Sequence, residues 1–275
     1  MARPTNDREN PRVLAQRLAV AAVGIPIVLL VVWVGGPTFH VVVAGVLALT
    51  AVEFYHAARK EWRTPVALAA GLGAAALAIA ATEGIDWLVY AMAAASLASL
   101  SLLVLTSDTE DGAADWGGFL SAVVYAGFLG AHFILLRDEG GGRDLVLLVL
   151  LGTYATDSFA YFVGKTVGRR AFAPRISPSK TWEGTAAAVV GGFATVIVLN
   201  ALLDAGLSTL EVIPLALLFP VFAIAGDLAE SVIKRSLKVK DTSSLIPGHG
   251  GLVDRLDSLL FTNALVYYWL IWVVE

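Results

Sequence analysis

No cysteine occurs among the 275 residues, which excludes disulfides, thiolate nucleophiles and Cys-based zinc sites. Charge is scarce as well. Asp, Glu, Lys and Arg make up 15% of the chain and hydrophobic residues 57%, with a mean hydropathy of +0.76. Soluble domains carry roughly 45–50% apolar and about 25% charged residues, so the balance excludes a soluble domain and predicts a membrane protein. Internal repeats, low-complexity linkers and a separate soluble domain are also missing. The polar start, MARPTNDRENPR, leads into an apolar run that is too long for a signal-peptide core and lacks a small-residue cleavage site, so it reads as a retained first span.

What the sequence does contain is apolar runs, at about 14–35, 38–58, 65–82, 85–106, 118–136, 145–165, 184–203, 212–233 and 258–274. Each approaches the 20 or so residues needed to cross a bilayer. Open sheet edges do not survive in hydrocarbon, so the expected fold is an all-α integral membrane protein, a bundle of about nine transmembrane helices. The third run, rich in Ala and Gly, predicts a helix packed closely against its neighbours, as do the small residues of GTAAAVVGGFATV. SDTEDGAADWGG and RDEGGGRD read as loops. Placing the N-terminus in the cytoplasm puts 1–13, 59–64, 107–117, 166–183 and 234–257 on that side and Glu275 outside. With the helix-end residues Arg17 and Lys165, these segments hold seventeen of the nineteen basic residues; Arg137 and Arg143 are the exceptions. The chemistry-bearing motifs fall in 137–275, behind a set of N-terminal helices in 1–136.

The first motif, TYATDSFAYFVGKTVGRRAFAPRISPSKTWEG, spans residues 153–184. Asp157, Tyr161, Gly164 and Lys165 share one helix face. An acid in an apolar span costs about 2.5–3.5 kcal/mol on insertion scales and faces a polar cavity or a partner, here Lys165. GKT is not a P-loop, because Phe159 stands five residues before Gly164 and the tripeptide ends a helix. Arg169, Arg170, Arg175 and Lys180 then crowd a short loop that suits a polyanion, or equally anionic lipid headgroups.

In the second motif, AGDLAESVIKRSLKVKD, Asp227, Glu230, Ser231, Lys234 and Lys238 form one polar helix stripe, acids deep and bases shallow. This is the order for a bound cation beneath an anionic substrate, or for salt bridges along a helix end. The stretch SLIPGHGGLVDRLDS follows. Pro247, Gly248, Gly250 and Gly251 interrupt the helix and let backbone N–H groups converge on an anion, with His249 as a further donor. Asp254 and Asp257 open the last span, where the helix dipole favours carboxylates. Hard oxygen donors favour Mg²⁺ over zinc. The set points to metal-assisted chemistry on a phosphate, with one substrate in the membrane and one in the cytosol.

Residues 231–257, SVIKRSLKVKDTSSLIPGHGGLVDRLD, resemble the signature of the phosphatidate cytidylyltransferases, also called CDP-diacylglycerol synthases. Its fixed positions are filled by Ser231, Lys234, Arg235, Lys240, Asp241, His249, Gly250, Gly251, Asp254, Arg255 and Asp257. ISPSKTWEG, with Asp157, Tyr161 and Gly164, resembles the family's second block, Ser179 standing where many relatives carry Asn or Lys. The N-terminal half is similar in hydropathy and helix count.

The resemblance implies that CTP and phosphatidic acid react to CDP-diacylglycerol and pyrophosphate on cytoplasmic catalytic loops. It implies a catalytic set of Asp227, Ser231, Lys234, Arg235, Lys240, Asp241, His249, Asp254, Arg255 and Asp257. Substrate contacts would come from Asp157, Tyr161, Arg175, Ser177, Lys180, Thr181, Glu183, Gly250 and Gly251. Asp227, Asp254 and Asp257 would hold Mg²⁺, with room for a second cation. A homodimer in the inner membrane, N-terminus cytoplasmic and without a nucleic-acid partner, completes the expectation. A CTP-dependent lipid kinase or a CDP-archaeol synthase would share the setting and differ in the lipid. A transporter could carry intramembrane acids, but has no need for PGHGG followed by DRLD on one face.

Overall fold

The structure, a computed structural model, describes residues 11–58, 64–106, 112–243, 245 and 250–274. Helices α1 (Pro11–Val34), α2 (Gly36–Ala58), α3 (Thr64–Ala81) and α4 (Ile85–Thr106) come first. Helix α5 (Gly112–Ala122) runs through a π-helical segment (Val123–Phe128) into α6 (Leu129–Asp138). Next come α7 (Gly142–Val167), the strands β1 (Ala171–Ala173) and β2 (Ser177–Thr181), α8 (Trp182–Leu203), α9 (Thr209–Ser236) and α10 (Val253–Trp269), which closes in a π-helical turn (Leu270–Val274). Every expected apolar run is helical, because a chain this apolar must satisfy its backbone within each segment.

Among the described residues six helices are long and apolar enough to cross a membrane: α2, the α5–α6 unit, α7, α8, α9 and α10 with its extension. The runs in α1, α3 and α4 give shorter apolar helices, Val20–Val34, Pro65–Ala81 and Ile85–Ser101. The outer surface is apolar too. Leu72, Leu202 and Leu210 are 73%, 75% and 86% exposed, a lipid-facing belt that water would not tolerate as a continuous band. The chain is an all-α, multi-pass membrane protein.

Two segments depart from the sequence reading. Helix α5 begins at Gly112, inside the stretch read as a loop to 117. Its acid is matched by tertiary contacts: Asp115 is buried and accepts from Tyr55 Oη at 3.3 Å, and Trp116 Nε1 donates to Ser99 Oγ at 3.0 Å. The basic loop after α7 folds into an antiparallel hairpin pairing Ala171 with Thr181 and Ala173 with Ser177. The Phe172 and Trp182 rings, 4.7 Å apart and edge to face, fix it on the start of α8.

Close packing follows the small residues. Ala67, Ala70, Ala74 and Ala78 bury one face of α3 against α2 and the π-helical segment, as its composition predicts. On α8, side chains at Gly184, Gly191 and Gly192 would collide with α7 or α9. The crossing that matters most is at Gly226 of α9. A Cβ there would lie 2.6 Å from the Asp257 carbonyl oxygen and 2.9 Å from Ser258 Cα of α10. Glycine lets the two backbones touch beside Asp227.

Helices α2, α7 and α9 end, and α5, α8 and α10 begin, at the same end of the bundle, so both motifs gather there. Arg137 and Arg143 lie at the other. Arg137 Nε donates to the Val32 carbonyl at 3.1 Å, and the Arg143 guanidinium sits 4.7 Å over the Trp33 ring. The segregation of the basic residues in sequence is therefore matched in space, with 1–10, 59–63, 107–111 and Glu275 lying outside the described residues.

Candidate active site

The crossing at Gly226 brings Asp227 and Glu230 of α9 against Asp257 of α10. One carboxylate oxygen from each lies within 4.8 Å of the others. Two carboxylates at that separation repel by about 3.5 kcal/mol at an effective dielectric constant of 20, so the group calls for compensating positive charge. Lys180, delivered by β2, pairs with Asp227, whose other oxygen accepts from Ser231 Oγ at 3.4 Å. Lys234 bridges Glu230 at 2.6 Å and Asp254 at 2.7 Å. Asp157 of α7 faces the same region, within electrostatic range of Asp257, Asp227, Lys180 and Arg255. Lys165, the partner considered for Asp157, instead reaches the Tyr161 hydroxyl at 3.4 Å and covers its ring.

These carboxylates suit a hard cation. All donors are oxygens, which favours Mg²⁺, Ca²⁺ or Mn²⁺ over softer metals. Glu230 Oε1 is buried without a hydrogen-bond partner among the described residues, an orphaned carboxyl oxygen in a residue of the cluster. Glu230 was recognised in the helix stripe but not as a ligand; the structure groups it with Asp227 and Asp257.

Asp254, expected with Asp227 as a metal ligand, lies outside the three-carboxylate group and makes several hydrogen bonds of its own. Beyond Lys234 it accepts from Thr242 N at 3.2 Å, Thr242 Oγ1 at 3.0 Å and Gly251 N at 2.8 Å. Gly250 turns the chain with φ +79°, and a Cβ there would press on the Asp254 carboxylate. At the end of the glycine turn, read as an anion cradle, Gly251 N donates to Asp254, and at the start of α10 Leu252 N and Val253 N donate to Glu53 at 2.8 and 3.2 Å. Pro247, Gly248 and His249 lie outside the described residues.

Glu53 was missed by the motifs because it comes from α2, some 200 residues away. It is 7% exposed, takes a further hydrogen bond from Thr242 Oγ1, and leaves no room for a side chain at Gly251. Its carboxylate caps the N-terminus of α10, where the first amides and the helix dipole favour an anion. Its sequence signal was an acid inside an apolar run, the signal that singled out Asp157.

The remaining expected residues divide by position. Arg235 Nε donates to the Ile176 carbonyl at 3.2 Å, docking the hairpin on α9. Thr181 caps α8 by accepting from Gly184 N at 3.1 Å, and Glu183 accepts from Arg169 N and Arg170 N at 3.1 and 3.3 Å. Both acids and caps here shape the hairpin. Ser177 is half-buried in β2, whereas Arg175, at the hairpin turn, and Lys240 and Asp241, after α9, are exposed. Tyr161 is exposed on α7, one turn after Asp157.

A family profile described as the cytidylyltransferase family matches residues 15–273. The chain belongs to the cytidylyltransferase family. Among cytidylyltransferase relatives, the phosphatidate cytidylyltransferase of Bacillus subtilis (strain 168) is 36% identical over 55% of this chain and 57% of its own. That of Brucella abortus biovar 1 (strain 9-941) is 42% identical over 54% of each. The chloroplastic phosphatidate cytidylyltransferase 4 of Arabidopsis thaliana is 46% identical over 46% of this chain and 32% of its own. The matched stretch thus spans about half or less of these relatives.

Proposed function

We propose that this chain transfers the CMP unit of CTP to phosphatidic acid, releasing pyrophosphate and leaving CDP-diacylglycerol in a cell membrane. The observation that carries this reading is the carboxylate cluster of buried Glu230 with half-buried Asp227 and Asp257, flanked by Lys180 and Lys234 at one end of an apolar bundle. The names of the relatives agree with it. A phosphatidate phosphate oxygen attacks the α-phosphorus of CTP, the bond from that phosphorus to the β-phosphate oxygen breaks, and pyrophosphate departs with the electron pair. Such a transfer needs positioning and charge neutralisation more than a nucleophile from the protein.

In this reading Asp227, Glu230 and Asp257 hold Mg²⁺, which supplies a Lewis acid for phosphate oxygens. Lys180 and Lys234 neutralise phosphate charge, exchanging part of their contact with the acids for the incoming anions. Arg175, Arg235, Lys240, His249 and Arg255 extend the cationic rim, and Ser231 holds Asp227. Asp254 and Glu53 keep Lys234 and the start of α10 in register. The catalytic groups come from 137–275, and the N-terminal helices of 1–136 contribute Glu53 as a positioning residue. The N-terminus is cytoplasmic, so both motifs face the CTP pool, and the protein works as a homodimer.

The purified chain, given CTP, Mg²⁺ and one acceptor at a time, tests the lipid. Diacyl phosphatidate is expected to be consumed, whereas turnover confined to a polyprenol or to an unsaturated archaeal ether lipid would reassign the activity.

A further inference from the structure

Beside the carboxylates lies a cavity of about 650 Å³, bounded by α2, α5, the π-helical segment and the C-terminal end of α9. Its volume falls in the range of roughly 300–1,000 Å³ found for small-ligand pockets. The wall on α5 is made of small residues: Ala114, Gly117, Gly118 and Ser121 follow one another at helical spacing, and Tyr125 continues the same face. Ala114 and Ser121 are exposed, so the cavity is open along α5. Phe54 and Ile233 also line it. The lining is mostly apolar, with Ser121, Ser236 and Tyr125 as its polar members.

Among these, Tyr125 carries a buried polar atom left unpaired. It is 8% exposed, its ring packs on Phe54 at 5.3 Å, and its hydroxyl is buried with no hydrogen-bond partner among the described residues. Asp227, Glu230, Asp254 and Asp257 all lie within electrostatic range of that hydroxyl. A buried hydroxyl left unpaired costs about 1–3 kcal/mol, which a polar atom of a ligand would recover. The cavity therefore has an open side along α5, mostly apolar walls and one unpaired buried hydroxyl at the wall nearest the phosphate chemistry.

We infer that this cavity receives one acyl chain of the lipid substrate and that Tyr125 donates to an oxygen of its glycerol-ester region. The inference rests on the proposed use of phosphatidic acid and adds where the chain lies and what limits its length. Cytosine is the competing occupant. The mostly apolar lining favours the chain, since a base would need several buried polar partners and Tyr125 offers the one unpaired buried hydroxyl among the described lining residues.

Gly117→Leu tests it, because a Cβ at Gly117 meets open space and the larger side chain can enter the cavity without displacing backbone. The expected result is a KM for long-chain phosphatidate raised at least about tenfold, a smaller rise for a short-chain form, and a KM for CTP unchanged within about twofold. Ser121→Leu, on the exposed rim, serves the same purpose should Gly117→Leu fail to fold. Tyr125→Phe is expected to raise the KM for phosphatidate without lowering the melting temperature, since the deleted hydroxyl has no partner among the described residues. A rise in the KM for CTP alone, or no change in either constant, overturns the inference. Retention of phosphatidate by the detergent-solubilised full chain, followed by native mass spectrometry, separates it from the proposed reaction. A parent chain that binds long-chain phosphatidate but transfers no CMP refutes the cytidylyltransferase reading, while loss of that binding in Gly117→Leu still supports the cavity; equal binding by both proteins overturns it.

Discussion

Exchanging Glu53 for glutamine changes neither the shape of the side chain nor any group placed in the proposed reaction, yet the structure predicts a large effect. Both carboxylate oxygens are in use. Oε2 accepts from Leu252 N at 2.8 Å, while Oε1 accepts from Val253 N at 3.2 Å and from Thr242 Oγ1. Glutamine offers one acceptor and turns an NH₂ group toward a donor, so at least one buried donor loses its partner, at about 1–3 kcal/mol. The negative charge at the N-terminus of α10 is lost as well, worth up to about 2 kcal/mol in a partly buried setting. Together these give a destabilisation of about 2–4 kcal/mol. The chain has no cysteine for thiol-reactive dyes but seven tryptophans, so intrinsic fluorescence of the solubilised protein can follow its thermal unfolding. Glu53→Gln should melt well below the parent. Glu53→Asp, which keeps the charge and falls short by one methylene, should melt between them. A Glu53→Gln protein melting with the parent would show that the cap contributes nothing.

Glu230→Gln should leave the protein folded, because a buried anion has been removed, and abolish the thermal stabilisation that Mg²⁺ gives the parent; full retention of that stabilisation would remove Glu230 from the ligand set. Asp227→Asn should behave alike, whereas Asp254→Asn should lower the melting temperature even without Mg²⁺, since Thr242 and Gly251 lose their shared acceptor. Gly226→Leu should separate α9 from α10 and reduce stability by about 1–3 kcal/mol or more, with loss of Mg²⁺ response, an overpacking effect that a parent-like melting curve would contradict. Single cysteines placed at Arg175 and Arg143 should label from opposite faces of sealed vesicles, and labelling from the same face would overturn the proposed topology.

The sequence disclosed the helices because hydrocarbon imposes a run length that no other environment requires. It disclosed Asp227, Lys234, Asp254 and Asp257 because a short pattern carries them. What it concealed depended on contacts between distant segments. Asp115 looked like part of an acidic loop until Tyr55 and the burial of α5 supplied its setting. The hairpin over 171–181 has strands of three and five residues, too short for alternation to register against a background of charge and proline. The glycine turn folds back on Asp254, and Glu230, one turn below Lys234, stands with Asp227 and Asp257, a grouping that the local pattern does not reveal. Glu53 gave a signal of charge in an apolar run, but nothing local named the amides of α10 as its partners.

The central claim is that the bond broken in CTP is the one between the α- and β-phosphates. Incubating the purified chain with phosphatidic acid, Mg²⁺ and CTP labelled at either the α- or the γ-phosphate measures this directly. The account predicts that α-label enters the lipid fraction and γ-label appears only in pyrophosphate, in equal amounts. Transfer of γ-label to the lipid, with CDP left in solution, would mark a kinase and contradict it.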